Sequence, residues 1–201
     1  MKKYLMAMLV FILAGCQTHP KLKIAYASYY WDQETHILYY ACQLTNHSGK
    51  EAVYPSVNVK VKGMDLTEEA SLSSMKDGEQ GIVAGNIMCE SEVKGVSFTA
   101  SVESWRKDRG LADISQYKIN NVKVEKDDLG GIVFKGNVSN ESSDTTPPLM
   151  VSVLLIRNKK GVGGNSVQLD EINKKKSSSF EIELSHVPSY DRYIIQVSRA
   201  L

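Results

Sequence analysis

The stretch that decides the fold is Ile37-Leu38-Tyr39-Tyr40-Ala41-Cys42-Gln43-Leu44-Thr45-Asn46-His47-Ser48, together with its second version, Gly131-Ile132-Val133-Phe134-Lys135-Gly136-Asn137-Val138-Ser139-Asn140-Glu141-Ser142. Each is an apolar run that ends in a Thr/Ser-Asn-x-Ser turn, and valine-rich runs follow at 57–61 and 151–155. Asparagine followed closely by serine favours a turn, so each copy predicts a strand, a turn and a second strand. Two such copies in one chain predict an internal repeat.

Outward from these runs, short alternations of apolar and polar residues continue along the chain, separated by clusters of Gly, Asn, Asp, Ser and Lys. This period of two is typical of half-buried β-strands. A short helix is expected only from Leu66 to Met75. The chain is therefore predicted to be all-β, with strands near 22–28, 36–45, 53–62, 81–89, 96–104, 117–125, 131–139, 148–157, 166–169, 179–184 and 191–198.

The alternation is interrupted once, from Arg106 to Gln116, where a charged run begins the segment. We read 106–116 as a linker between two small antiparallel β-sandwich domains in tandem, 22–105 and 117–201. Domains of this size bury only about two thirds of their unfolded surface, so each is expected to be marginally stable. One larger β-sandwich stays open as the alternative, because length does not exclude it.

The first fifteen residues have the composition of an export signal. Lys2 and Lys3 give a positive start, and the apolar run from Tyr4 to Leu13 is shorter than the roughly 20 residues that span a bilayer. The run ends in Leu13-Ala14-Gly15-Cys16. An ordinary secretory signal with a chance cysteine is the alternative.

Through this four-residue motif the N-terminus resembles that of bacterial lipoproteins. The resemblance implies a signal peptide at 1–15, cleavage before Cys16, a diacylglycerol on its sulfur and a further acyl chain, such as palmitate, on its new amine. Two or more acyl chains anchor a protein lastingly in a membrane. Residues 16–21 would then form the lipidated N-terminus and a short tether.

The same resemblance implies a location outside the cytoplasm. Gln17 after the cysteine, in place of Asp, implies the outer membrane, facing the periplasm, in a Gram-negative cell, which is the favoured case. In a Gram-positive cell the protein would lie on the outer face of the cell membrane.

The charge of the chain predicts no electrostatic partner. Of 24 basic residues, two lie in the signal, which leaves 22 against 23 acidic residues and a net charge of −1. A nucleic-acid binder would show a basic surplus, so none is expected. The expected partners are the membrane, through the N-terminal lipid, and an envelope protein.

The second half resembles the small FxLYD-type, Ig-like β-sandwich domains of bacterial surface lipoproteins. The resemblance lies in Gly136-Asn137-Val138-Ser139-Asn140, in the strand 151–156, in the turn Asn158-Lys159-Lys160-Gly161 and in Phe180-Glu181-Ile182-Glu183-Leu184. This chain has Ile156-Arg157 where the family has Tyr-Asp. The resemblance implies a binding or spacer module without catalysis.

Two cysteines, Cys42 and Cys89, remain in the mature chain besides Cys16. An even pair in a compartment outside the cytoplasm predicts one disulfide, and aligning the two repeats places both side chains on the inward face of their strands. Their spacing matches neither a zinc site nor a redox Cys-x-x-Cys pair. Two free thiols are the alternative.

No reactive group of side chains reaches the strength of a motif. The four histidines do not stand at metal-ligand spacings, and the carboxylate pairs lie in turns or on a solvated strand face. The glycine-rich stretch 161–166 lacks the order of a phosphate loop and predicts a hairpin turn. We expect no enzyme, no cofactor and no metal; an envelope hydrolase with a site assembled from distant loops is the alternative.

The most distinctive feature is the consecutive aromatic triplet Tyr29, Tyr30 and Trp31. Alternation along a strand cannot bury three consecutive side chains, so at least one should face outward. Tyrosine and tryptophan are enriched in protein interfaces. The triplet is therefore the candidate partner-binding site.

Overall fold

The computed structural model describes residues 22–201 except positions 109, 111, 127 and 129. Within this part the regular structure is β-strands and one 3-10 helix, Ile114–Gln116, so the all-β prediction is confirmed. The predicted signal 1–15, Cys16 and the tether 16–21 lie outside the described residues. The strands are β1 (Leu22–Asp32), β2 (Ile37–Asn46), β3 (Glu51–Val61), β4 (Leu66–Ser71), β5 (Ser74–Met75), β6 (Gln80–Met88), β7 (Val96–Arg106), β8 (Tyr117–Lys126), β9 (Ile132–Asn140), β10 (Leu149–Arg157), β11 (Lys160–Leu169), β12 (Ser177–Leu184) and β13 (Arg192–Arg199).

The order of the strands repeats between the two halves. The first half pairs β1-β2-β6 in one layer and β4-β3-β7 in the other, while the second half pairs β8-β9-β12 and β11-β10-β13. All of these pairings are antiparallel. Each half encloses its own apolar core, built around Leu38, Tyr40, Cys42, Leu44, Val57 and Val59 in the first and around Phe134, Val138, Val151, Val153 and Ile182 in the second.

One buried asparagine occupies the same place in each half. The side-chain amide of Asn46 donates to the carbonyl four residues later at 2.8 Å and to the carbonyl of Met75 at 2.9 Å. That of Asn140 donates to the carbonyl four residues later at 2.7 Å and to the carbonyl of Ile172 at 2.8 Å. Both residues are fully buried. The repeated Asn-x-Ser segment thus joins two loops in each half and does more than form a turn.

The two halves pack together through the β1-β2-β6 layer of the first half and the β11-β10-β13 layer of the second. A third apolar cluster brings Ala41 of β2 and Ile82 and Ala84 of β6 against Leu154 and Ile156 of β10. β2 is consequently buried on both faces, which explains its nearly continuous apolar sequence. The boundaries 22–105 and 117–201 stay a prediction about folding units, because these halves share buried surface.

β5 is a further link between the halves. It pairs with β3 through Ala52 and Val53, and with β13 through Arg199, so that the second layers of the two halves form one seven-stranded sheet. The segment Leu66 to Met75, predicted as a helix, is therefore β4 and β5. Its Leu, Glu and Ala residues favour a helix locally, but pairing with β3 overrides that preference.

The glycine-rich stretch 161–166 is strand β11, which corrects its prediction as a turn. The turn lies just before it, at Asn158 and Lys159, whose φ values of 50° and 65° suit a two-residue hairpin loop. A Cβ on Gly161 would lie 2.6 Å from the Cβ of Ser28, and one on Gly164 would lie 2.7 Å from the Cβ of Ala41. The glycines thus let β11 approach the first half closely.

The predicted disulfide does not form. Cys42 and Cys89 are free and fully buried, and both belong to the core of the first half, so their inward orientation is as expected. Their positions along the sheet are far apart, because the amide of Cys89 donates to the carbonyl of His36, six residues before Cys42 on the same chain segment. At about 3.3 Å per residue this is a separation of roughly 20 Å, whereas a disulfide needs Cα atoms within about 7 Å.

Candidate functional site

The aromatic triplet lies at the end of β1, and its three side chains have different surroundings. Tyr29 is 36% exposed. Trp31 packs against the core of the first half, with its indole 6.3 Å from the ring of His36, and its buried Nε1 has no hydrogen-bond partner among the described residues. Tyr30 packs against the core of the second half. Tyr29 is therefore the exposed member of the predicted site, while Tyr30 and Trp31 are partly buried.

Tyr30 contributes to the junction between the halves. Its ring stacks on that of Tyr39 with centroids 4.9 Å apart, and its hydroxyl donates to the carbonyl of Ser185 at 2.9 Å. Gly163 of β11 leaves the space for this ring, since any Cβ at that position would overlap it. Two tyrosines of the first half are thus inserted against the second half.

The polar centre of the junction is Asp32, the last residue of β1, whose side chain is 2% exposed. Its carboxylate accepts hydrogen bonds from Thr35 Oγ1 at 2.5 Å, Ser185 Oγ at 2.7 Å and His186 Nδ1 at 2.9 Å. The amide of Glu34 donates to its other oxygen at 3.0 Å. We call Asp32, Thr35, Ser185 and His186 the Asp32 cluster. Thr35 lies in the β1–β2 turn, whereas Ser185 and His186 follow β12, so the cluster joins the two halves.

The environment of the Asp32 cluster shifts the pKa values of two side chains in opposite directions. Burial by itself raises the pKa of Asp32, but the hydrogen bonds from Thr35, Ser185 and His186 outweigh it and hold that pKa well below its usual value. Burial, with the nearby Tyr39 and Asp32, raises the pKa of Tyr30 well above its usual value. The carboxylate is therefore held ionised and the phenol neutral.

The cluster contains the residue types of a hydrolytic triad without its arrangement. In such a triad the serine donates its proton to the histidine, which the aspartate orients. Here Ser185 donates to Asp32 itself, and Tyr39 contacts the Ser185 hydroxyl at 2.9 Å. The Nε2 of His186 lies 3.2 Å from a carboxylate oxygen of Glu34. These contacts pair side chains of the two halves across the junction, with the Ser185 hydroxyl donating to the carboxylate of Asp32.

A second polar link joins the halves at the opposite end of β1. Arg199 of β13 is 2% exposed and pairs with both carboxylate oxygens of Glu79, at 2.7 and 2.9 Å. It also donates to the carbonyl of Ala112 at 2.7 Å. Nearby, Arg106 of β7 contacts the buried carboxylate of Glu51 at 2.6 Å. None of these four charged side chains was predicted, because nothing in their local sequence distinguishes them from surface residues.

Two further features concern metal binding and membrane crossing. Within the described ranges, no group of three or more His, Cys, Asp or Glu side chains could hold a metal ion. No helix of the described part is long and apolar enough to cross a membrane.

Comparisons with known proteins provide little further information. No protein-family model and no curated protein matches the chain. Among solved structures, it is similar to the C-terminal globular domain of an oligosaccharyltransferase from Pyrococcus abyssi, at 11% identity and a TM-score of 0.24. The match covers 89% of this chain and 46% of that one, so the chain spans about half the length of this neighbour. At this level the likeness carries no argument about function.

Proposed function

We propose that the protein is a lipid-anchored component of the bacterial cell envelope, whose β-sandwich body binds or scaffolds another envelope protein without catalysis. The observation that carries the proposal is the sequence Leu13-Ala14-Gly15-Cys16 at the end of a short apolar run. The position of this motif supports the proposal, because β1 begins at Leu22, only a few residues after Cys16. A tether of this length extends at most about 20 Å, so the body would be held close to the membrane.

The lipid anchor is tested by following maturation of the full chain in a bacterial host. We expect the protein to incorporate labelled palmitate, to lose residues 1–15 and to stay in the membrane fraction. Cys16→Ser should abolish labelling and maturation, whereas Cys42→Ser should leave both unchanged, since Cys42 is buried in the folded body. Processing of the Cys16→Ser variant at the same position would show an ordinary secretory signal and contradict the proposal.

The partner is tested at Tyr29, the exposed member of the aromatic triplet. A photoreactive phenylalanine analogue at position 29 should cross-link one envelope protein in intact cells. Once that partner is identified, Tyr29→Ser should weaken its binding by roughly 30-fold, because an aromatic hot spot contributes about 2 kcal/mol. Thermal stability should change little, since this side chain lies outside the buried cores.

Val124 provides the matched control for the partner test. It is 39% exposed and lies on β8, in the second half. The photoreactive analogue at position 124 should give no such cross-link, and Val124→Ser should leave binding unchanged. Equal cross-linking from both positions, or full binding by Tyr29→Ser, would contradict a partner site at the end of β1.

A further inference from the structure

A crevice opens in the seven-stranded sheet where β3, β5 and β13 meet. Its volume is about 220 Å³, and it is lined by Val53, Tyr54, Ser73, Ser74, Arg106, Pro147 and Arg199. Pockets for drug-sized ligands usually measure about 300–1,000 Å³, so this one suits a smaller molecule. Among the described residues that line it, two are cationic and none is acidic.

Both arginines keep a donor without a partner. Arg199 uses its terminal nitrogens for Glu79 and Ala112, and Arg106 uses one of its own for Glu51. The Nε atoms of both arginines are buried and make no hydrogen bond to any residue that the structure describes. Leaving a buried donor unpaired costs about 1–3 kcal/mol, and a bound ion is one of the ordinary explanations.

The backbone beside the crevice is strained. Tyr54 lies within β3, yet its φ is 47°, a conformation that non-glycine residues rarely adopt. Its amide donates to the carbonyl of Ser73 at 3.1 Å, which fixes it against the segment that carries the two serines. Its side chain is 44% exposed. Strain of this kind concentrates at binding sites, where surrounding contacts maintain it.

From the size of the crevice, the two arginines that line it and the unpaired Nε donors of these arginines, we propose that it binds a small oxyanion, either a phosphate or a carboxylate. Arginine side chains bind both kinds of anion by donating N–H···O bonds, and serine hydroxyls can add further donors. The site lies on the sheet that joins the two halves, so the anion would contact Arg106 of the first half and Arg199 of the second. This inference goes beyond the proposed function and does not depend on the lipid anchor.

The test measures the melting temperature of the purified full-length protein in increasing inorganic phosphate and, separately, acetate, with sodium chloride at equal ionic strength as the reference. We expect a saturable rise of about 2–4 °C at several times the Kd for at least one of the two anions. Saturation by phosphate alone or by acetate alone identifies the anion class. A rise no larger than with chloride, for both anions, would overturn the proposal.

Two variants place the binding in the crevice. Arg106→Lys keeps a positive charge for Glu51 but lacks the planar fork of donors. The Kd for the bound anion should therefore rise at least tenfold. Ser73→Ala leaves both ion pairs intact and should weaken binding several-fold, which gives a second readout if the first variant folds poorly. Arg157→Lys, at the exposed end of β10, should bind as the unmodified protein does. Unchanged affinity in both Arg106→Lys and Ser73→Ala would place any binding elsewhere and refute the site.

Discussion

Replacing Arg199 with methionine should lower the free energy of unfolding by about 3–5 kcal/mol. The substitution keeps the length of the side chain but leaves Glu79, whose side chain is 10% exposed, as a nearly buried charge without its cation. It also removes the donor that satisfies the carbonyl of Ala112. Because Arg199 and Glu79 come from different halves, the loss should appear in the unfolding of the whole protein. Urea denaturation followed by circular dichroism gives the measurement.

Two further variants distinguish the loss of this pair from a general loss of charge. Arg157→Met removes an arginine from the exposed end of β10 and should change stability by less than about 0.5 kcal/mol. The double variant Arg199→Met/Glu79→Met should be more stable than Arg199→Met alone, since removing both partners of a buried pair leaves no unpaired charge. A single variant as stable as the unmodified protein would show that the pair does not hold the halves together.

Several of the strands could be predicted because they have one face in a core and one toward solvent. β7 shows this clearly, since its residues alternate between partly buried and exposed from Val96 to Glu103. β12 alternates in the same way, with Phe180, Ile182 and Leu184 buried. The repeat could be recognised because each copy must form the same strand, turn and strand. Both the alternation and the repeat are patterns of the local sequence, so they can be recognised without the structure.

What the sequence could not provide is register and contact between distant segments. Parity placed Cys42 and Cys89 on the inward face correctly, but it says nothing about their distance along the strands, which excludes a disulfide. Asp32 and Ser185 are 153 residues apart, and no spacing rule connects them. The Asp-x-x-Thr segment at the end of β1 does indicate a local turn, and the hydrogen bond from Thr35 to Asp32 is such a contact. Its role across the junction depends on the packing of the two halves.

Asp32→Asn should destabilise the protein by about 3 kcal/mol at pH 7. Thr35, Ser185 and His186 all bond one oxygen of Asp32 and the amide of Glu34 bonds the other, so the uncharged amide of asparagine loses the charge-assisted bonds and must place its NH2 against a donor in either orientation. The substituted group itself is almost fully buried, since the Asp32 side chain is 2% exposed. Asp170→Asn provides the matched control on an exposed carboxylate outside the junction, and it should change stability by less than about 0.5 kcal/mol.

The pH dependence tests whether the ionised form of Asp32 is responsible. Its pKa is lower in the folded protein than the value of about 3.9 expected in the unfolded chain, so the unfolded state binds the proton more readily. The stability that it contributes is therefore fully present well above pH 4 and is lost as the pH falls below that value. The difference in unfolding free energy between the unmodified protein and Asp32→Asn should shrink as the pH falls below about 4. A difference that persists unchanged at pH 3 would mean that the carboxylate acts through its shape and not through its charge, and the Asp32 cluster would then be a packing contact between the halves.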